Sequence, residues 1–366
     1  MITLNQKEEV KTELIRLNKI TRCFSLARLF IGIVFVILVI CLITLDQFRL
    51  YLCLCVGSVL VFLLISELGN PYFQKVKNLK NMELVFKKHE NRRSLSYQSF
   101  SPDGREFVQY EDYKQLDLDL LGPRSLFQYL CVAKSKAGRE KLAKQLTAPE
   151  QKPKEFTECV FKLSQNPDAL KLESAISTIS SEAKDCDNLE LLGVAKKQIK
   201  ISPIGLCLMG LSYIAFIGLL IFFVFNNILP YYLLAFIIIN FIIAKIFSKN
   251  EVFSLNSTKY MNLLESYVEL ANHVVELEFD DPYFLQLKTI LKEELPSLVK
   301  FKRNFEMLSY RRNVILSIIG NGLIYMDYII VGILNFSNRK IGSIERSLDA
   351  LSEIELLLSL ATIGLD

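Results

Sequence analysis

The chain has 366 residues, 51% of them hydrophobic, with a mean hydropathy of +0.30. This length accommodates two domains, but the apolar content is too high for an ordinary soluble pair. The net charge of +4 is too small to indicate a nucleic-acid partner by itself. The chain has only two histidines and no zinc-type cysteine spacing, which argues against a protein metal site.

Residues 1–70 predict an amphipathic helix that leads into a transmembrane hairpin. The apolar runs Leu29–Leu45 and Leu50–Ile65 are separated by only four residues. A span needs about 17–25 apolar residues, so these two runs are near the lower limit. A hairpin of two such runs is nevertheless a poor candidate for a soluble core, and we expect it to cross the membrane.

Residues 71–116 form a basic juxtamembrane linker, which begins as a continuing helix and contains the turn signal Pro102-Asp103-Gly104. The first explanation for its basic side chains is that they determine membrane topology, and the second is that they contact anionic lipid headgroups. A nucleic-acid backbone is the weaker alternative. The candidate contacts are Lys75, Lys77, Lys80, Lys87, Lys88, Arg92 and Arg93.

Residues 117–146 predict a compact soluble module. Asp117–Leu121 alternates polar and apolar residues, which favours a short strand or extended arm, and Gly122-Pro123 ends it. Ser125 and Gln128 form a capping box, so a helix should run through Cys131. Ser135 is expected to cap a second helix, which ends before Pro149.

Side-chain positions in this module follow from the same pattern. Gly122 is expected at positive φ, and Leu126, Phe127 and Leu142 are expected in the core. Arg139 and Lys141 lie on the opposite helix face and are expected to meet water. Asp117 and Asp119 are interpreted as bonding to backbone donors of the following turn and helix, in preference to a metal or acid–base pair.

Residues 117–202 are assigned to the first part of a helical core domain, and 203–248 to a second transmembrane hairpin. The hairpin consists of the apolar runs Ile204–Phe225 and Ile228–Phe247. Residues 249–366 return to helical periodicity as the second part of the core. Asp281-Pro282 predicts a helix start, and Pro296 is expected to end or kink that helix.

The apolar run Val314–Leu334 allows two interpretations, a fifth span or a buried helix of the core. Basic pairs flank both of its ends, and Asp327 lies inside it. A single span would place one basic pair outside the cell and a charge in the bilayer, so we favour the buried helix. Asp327 is then expected to pair with Arg311 or Arg312.

Lysine and arginine cluster before and after each hairpin, and neither hairpin tip carries such a cluster. The positive-inside rule therefore places both termini and the middle region in the cytoplasm. Cys131, Cys159 and Cys186 would then be reduced thiols, and no disulfide framework is expected.

Two segments together resemble the MutS family of DNA mismatch-repair ATPases. The family pattern at the start of the core, or lever, domain is roughly "DLDLFG…SLF…T..GR..LA..L..P", and residues 347–361 are similar to the segment that leads into the ATPase domain. The resemblance covers roughly 100–366 and is greatest to the membrane-anchored MutS-related proteins of bacteria. The matching residues at the first segment are Asp117, Leu118, Asp119, Gly122, Ser125, Leu126, Phe127, Gly138, Arg139, Leu142, Ala143, Leu146 and Pro149.

The resemblance implies an all-α protein in which two transmembrane hairpins carry a cytoplasmic MutS-like lever or core domain, split by the second hairpin. It places the protein in the bacterial inner membrane. The family's ATPase uses a G-x-x-x-x-G-K-[ST] loop, which this sequence lacks. We therefore expect no ATP hydrolysis and no cofactor here, with ATP implied only for the ATPase domain.

The implied function is a non-catalytic core part of a mismatch-repair-type ATPase. Its expected partners are the lipid bilayer, an ATPase domain on a separate chain and a second copy of this chain, while DNA binding stays open. Phe156-Thr157-Glu158 has the letters of the family's mismatch-reading motif but is interpreted as a core phenylalanine beside a solvated glutamate. The alternatives are a small multi-pass transporter or channel, or a decayed gene fragment. Glu353 and Glu355 are expected on a solvated helix face.

Overall fold

A computed structural model describes residues 4–44, 48–108, 117–148, 151–177, 192, 203–226, 230–247, 257–310, 314–337 and 341–365. These residues form helices joined by turns, and none of them lies in a β-strand. The all-α prediction is therefore confirmed for the described part of the chain. The expected strand or extended arm at Asp117–Leu121 is wrong, because residues 118 and 119 form a turn in which Asp119 has φ 48°.

Helices α1 (Leu4–Thr44) and α2 (Phe48–Arg93) pack against each other as a long antiparallel pair. The pair contains two helices long and apolar enough to cross a membrane, within Lys7–Cys41 and Cys53–Arg93. Both continue well beyond their apolar stretches, so the basic segment after Pro71 is helical, as predicted. An ion pair between Lys7 and Glu90 joins the ends that lie far from the apolar stretches.

A helical core forms around the last helix, α13 (Ile341–Leu365), which contacts helices on several sides. Most of its apolar residues are buried, with Ile363 as an exposed exception, and each buried leucine contributes about 1.5–3 kcal/mol by leaving water. The surrounding helices are α3 (Leu126–Leu130), α4 (Lys136–Thr147), α5 (Lys154–Ser164), α6 (Ala169–Ser177), α9 (Ser257–Glu276) and α10 (Pro282–Tyr310).

The predicted helix start at Asp281 is confirmed, since its carboxylate accepts from the backbone N–H groups of Tyr283 and Phe284. Of the two alternatives at Pro296, an end of the helix is wrong, because α10 continues through this residue to Tyr310, and a kink stays a prediction. Phe156 is 4% exposed and Glu158 is exposed, which confirms the interpretation of that three-residue match as part of the core.

The second hairpin consists of α7 (Pro203–Asn226) and α8 (Pro230–Phe247). Both are strongly apolar, although their described apolar stretches, Pro203–Gly218 and Ala235–Ile246, are shorter than a full span. The segment expected to be one buried helix is instead two, α11 (Val314–Ile324) and α12 (Met326–Ser337), bent by 83° at Tyr325. Only Tyr325 separates them, and its φ of 48° is incompatible with a continuous helix.

Candidate functional site

The module at 117–146 begins with a turn that holds the first residues of α3. Gly122 has φ 101°, as predicted, a conformation that costs an L-residue energy. The Ser125 hydroxyl accepts from the Gln128 N–H at 3.2 Å, so the predicted cap is confirmed. The carbonyl oxygens of Asp119 and Leu120, and not the aspartate carboxylates, accept from the N–H groups of the first two residues of α3, Leu126 and Phe127.

The helix faces of this module differ in part from the prediction. Phe127 and Leu142 are fully buried, as expected, but Leu126 is 41% exposed. Arg139, expected in water, is 2% exposed. Its guanidinium donates to the Glu106 carboxylate at 2.6 Å and to the Lys134 carbonyl oxygen at 2.8 Å. The helix also turns Lys141 toward α13, where it contacts Asp349. Burial of Arg139 is possible because its guanidinium meets the Glu106 carboxylate, while Lys141 stays partly exposed.

The loop between α3 and α4 binds to α13 through a group of hydrogen bonds that we call the clasp. The clasp consists of the loop residues 132–135 and the side chains of Glu355 and Ser359. The Ser359 hydroxyl accepts from the N–H groups of Val132 and Ala133 at 3.2 and 3.3 Å. The Glu355 carboxylate accepts from the N–H groups of Lys134 and Ser135 at 3.1 and 3.2 Å, and from the Ser135 hydroxyl.

The clasp joins the two segments that carry the family resemblance, although about 220 residues separate them in sequence. Ser135 also accepts from the Gly138 N–H at 2.9 Å and so caps α4, as predicted. A Cβ atom at Gly138 would collide with the Glu355 side chain. Glycine at 138 therefore permits the close approach of α4 to α13 on which the clasp depends.

Glu355 is fully buried, and its expected position on a solvated face is wrong. Burial raises the pKa of its carboxyl, and the hydrogen bonds from Ser135 and Lys134 only partly oppose that effect. The same correction applies to Glu353, which is 8% exposed. Its carboxylate accepts from Lys152 and from the Tyr283 hydroxyl, each at 2.9 Å.

A buried ionic network lies beside the clasp, where α2 meets α6. His89 Nε2 lies 2.7 Å from Glu173 Oε2, and Arg92 donates to the Tyr129 carbonyl oxygen at 2.9 Å. Burial alone would raise the pKa of Glu173, but His89, Arg92 and Lys88 together lower it to about 2. Arg92 is 1% exposed, so it is not available to lipid headgroups and leaves the set of candidate contacts.

The other basic side chains of the linker differ in exposure. Lys75, Lys80, Lys87 and Arg93 are exposed, whereas Lys77 and Lys88 are half-buried. Lys88 lies beside Lys134, and burial together with this second ammonium lowers the pKa of Lys134 to about 8. The exposed members keep their place as candidate contacts with an anionic surface.

The groups in this region are arranged to hold helices together. Burial raises the pKa of the Cys131 thiol to about 12, so it is a poor nucleophile at neutral pH. Within the described ranges, no three histidine, cysteine or acidic side chains are placed to hold a metal ion.

Comparison with known proteins adds no relative: no family model, no curated protein and no solved structure matches this chain.

Proposed function

We propose that the chain is the non-catalytic, membrane-anchored core of a MutS-related assembly that acts through an ATPase domain on a separate chain. The observation that supports this proposal is the clasp. It ties the segment that resembles the start of the lever domain to the segment that resembles the lead into the ATPase domain.

The clasp gives this core a mechanical connection between the membrane and α13. The α2 helix continues beyond its apolar stretch and packs against α6, where Val85, Phe86 and Leu170 form a buried cluster. The network of His89, Arg92 and Glu173 fixes the same junction. The next element on this path is the α3–α4 loop, which is hydrogen-bonded to α13. A shift of the hairpin would therefore reach α13 through buried contacts alone.

The end of α13 offers a surface for such a partner. Ile363 is 61% exposed, whereas Ala361 and Thr362 beside it are buried. In the MutS resemblance this end faces the ATPase domain. We therefore place the ATPase contact at Ile363, with the bilayer as the second partner.

The test is site-specific photo-crosslinking of the full chain in its native membrane. A benzoyl-phenylalanine at Ile363 should crosslink to a chain that carries a phosphate-binding loop, identified by mass spectrometry. The same group at Leu285, which is 41% exposed on α10, is the matched control and should not. Adding Glu355→Ala, which opens the clasp, should abolish the adduct. Adducts only with lipid or with another copy of this chain would refute the proposal.

A second candidate, a small transporter or channel, is favoured by the break between α11 and α12. Discontinuous helices beside a membrane hairpin are typical of substrate and ion sites. Purified protein in sealed vesicles would then conduct small ions or polar solutes. Vesicles that are as impermeable as protein-free ones would leave the membrane-anchored core of a MutS-related assembly as the better explanation.

A further inference from the structure

The broken pair α11–α12 lies directly against the second hairpin. On α8, Phe236, Asn240 and Ala244 recur every four residues and are buried, while Ile239 on the other face is 56% exposed. α11 covers the buried face, and a Cβ atom at Gly322 would collide with Ile237. The two backbones are therefore in close contact, and α11 lies at the same depth as α8.

Hydrogen bonds from the hairpin satisfy the backbone where the helix breaks. Asn240 donates to the Gly322 carbonyl oxygen at 3.0 Å, and the Tyr213 hydroxyl donates to that of Leu323 at 3.0 Å. The Tyr325 hydroxyl in turn donates to the Asn240 side chain at 2.6 Å. Broken backbone is tolerated at membrane depth only where protein groups satisfy it in this way.

The depth of the break follows from helix geometry. Gly322 lies beside Ile237, which is eight residues, or about 12 Å, from Lys245 at the basic end of α8. Val314 is also eight residues from Gly322, so α11 is long enough to cover the same depth from the level of Lys245. Directly after the break, the Asp327 carboxylate lies 4.0 Å from the Lys245 ammonium, and Tyr328 packs in one cluster with Ala244, so α12 begins near the basic end of α8.

The charge distribution and the packing both indicate that the α11–α12 segment enters and leaves the membrane on the same side. The basic pairs Arg311-Arg312 and Arg339-Lys340 flank the segment, and both stay cytoplasmic if the chain does not cross. Past the break, Ile330 and Val331 of α12 are buried in the same core as α13. The segment therefore leaves the apolar layer and joins the cytoplasmic helices.

The outer face of the pair is apolar and exposed. Leu316, Ile319, Ile324 and Ile329 are each 43–51% exposed, and α8, which packs against α11, also has exposed isoleucines. An exposed apolar face on a helix packed against a membrane hairpin is matched to acyl chains.

We propose that α11–α12 is a re-entrant helix pair. It enters the cytoplasmic leaflet beside the second hairpin, turns at Tyr325 and leaves on the same side, with its outer face against lipid acyl chains. This inference rests on the proposed membrane position of α7–α8. It also explains why the run is as apolar as a span while both of its ends are basic.

The absence of tryptophan from the sequence allows a direct test. Single substitutions Leu316→Trp, Ile319→Trp, Ile324→Trp and Ile329→Trp are made in the full chain and reconstituted into phosphatidylcholine vesicles. Some of the lipid carries bromine at acyl positions 6,7 or 11,12. Ile239→Trp on α8 is the membrane control, and Leu285→Trp on α10 is the aqueous control. Acrylamide serves as the aqueous quencher.

We expect brominated lipid to quench the α11 variants as strongly as Ile239→Trp, and acrylamide to quench only Leu285→Trp. The ratio of 11,12-bromine to 6,7-bromine quenching should rise to Ile324→Trp and fall again at Ile329→Trp. A ratio that keeps rising through Ile329→Trp would show a full span and overturn the proposal.

The remaining outcomes also decide the matter. Acrylamide quenching of the α11 variants would place the pair in water, and quenching by neither reagent would show that protein covers it. Either result overturns the inference, provided that Ile239→Trp responds to lipid. If Ile239→Trp also fails to respond, the second hairpin lies outside the bilayer and the inference fails with it, while the membrane anchor that α1 and α2 supply in the proposed function is unaffected.

Discussion

Glu355→Ala should open the clasp and destabilise the core around it. The substitution leaves the N–H groups of Lys134 and Ser135 and the Ser135 hydroxyl without their shared acceptor. Each buried donor that loses its acceptor costs about 1–3 kcal/mol. Because the loop can relax, we expect a total loss of about 3–6 kcal/mol.

Hydrogen–deuterium exchange of the full chain in nanodiscs measures this loss where it occurs. At about 1.4 kcal/mol per factor of ten, exchange of the Lys134 and Ser135 amides should accelerate by about two to four orders of magnitude. Glu355→Gln is the matched control, since it keeps the shape and one acceptor, and it should cost only about 1 kcal/mol. Unchanged exchange at these amides in Glu355→Ala would refute the assignment of the clasp.

The same pair of variants tests the raised pKa of Glu355. A carboxyl whose pKa is higher in the folded state contributes stability that is complete below the unfolded value of 4.5. That contribution is lost as pH rises through the folded pKa. Glu355→Gln does not titrate, so its stability relative to the wild type should improve as pH rises above about 4.5. A constant difference across that range would contradict the raised pKa.

Three further predictions concern the neighbouring contacts. Arg139→Ala should destabilise the core by about 1–3 kcal/mol in thermal unfolding, because it leaves the Glu106 carboxylate without its guanidinium partner. The control, Leu126→Ala, should change stability by no more than about 0.5 kcal/mol. Equal effects of the two substitutions would contradict the helix faces described above. The pKa of Lys134 is about 8 in the folded state, against 10.5 when unfolded, so its contribution to folding stability is present above pH 10.5 and is lost as pH falls through about 8. The wild type should therefore gain stability between pH 8 and 10.5, and Lys134→Met should remove that gain. Arg92→Ala should leave the Glu173 carboxylate with less compensation and cost about 3–5 kcal/mol, measured by urea unfolding, and a loss below about 1 kcal/mol would show that the arginine contributes little to this junction.

Local signals in the sequence were sufficient for the helix starts and the turn. Ser125, Ser135 and Asp281 cap helices where the pattern places them, because capping depends only on residues within one turn. Gly122 likewise has its positive φ because the turn requires it.

Contacts between distant segments were not predictable in the same way. Arg139, Glu353 and Glu355 are charged residues that periodicity assigns to water, and each is buried by partners elsewhere in the chain. One signal for Glu355 was present, since Ile354 precedes it and the three leucines 356–358 follow it directly. The break at Tyr325 escaped prediction because neither a proline nor a capping residue occupies this position, and the side chain that accepts from the Asp327 N–H belongs to Asn321, inside the preceding helix.

The position of Pro71 in α2 has a geometric consequence. Proline removes one backbone hydrogen bond within a helix, so Pro71 provides a pivot close to the end of the apolar stretch. From there to Arg92 the helix is a rod of 21 residues, about 30 Å long. A tilt of about 10° at the pivot moves the far end by about 5 Å, close to the rise of one helical turn. A small change in the tilt of the first hairpin, such as one caused by a change in bilayer thickness, would thus move the Arg92 end of α2 by about as much as a one-turn slip between packed helices.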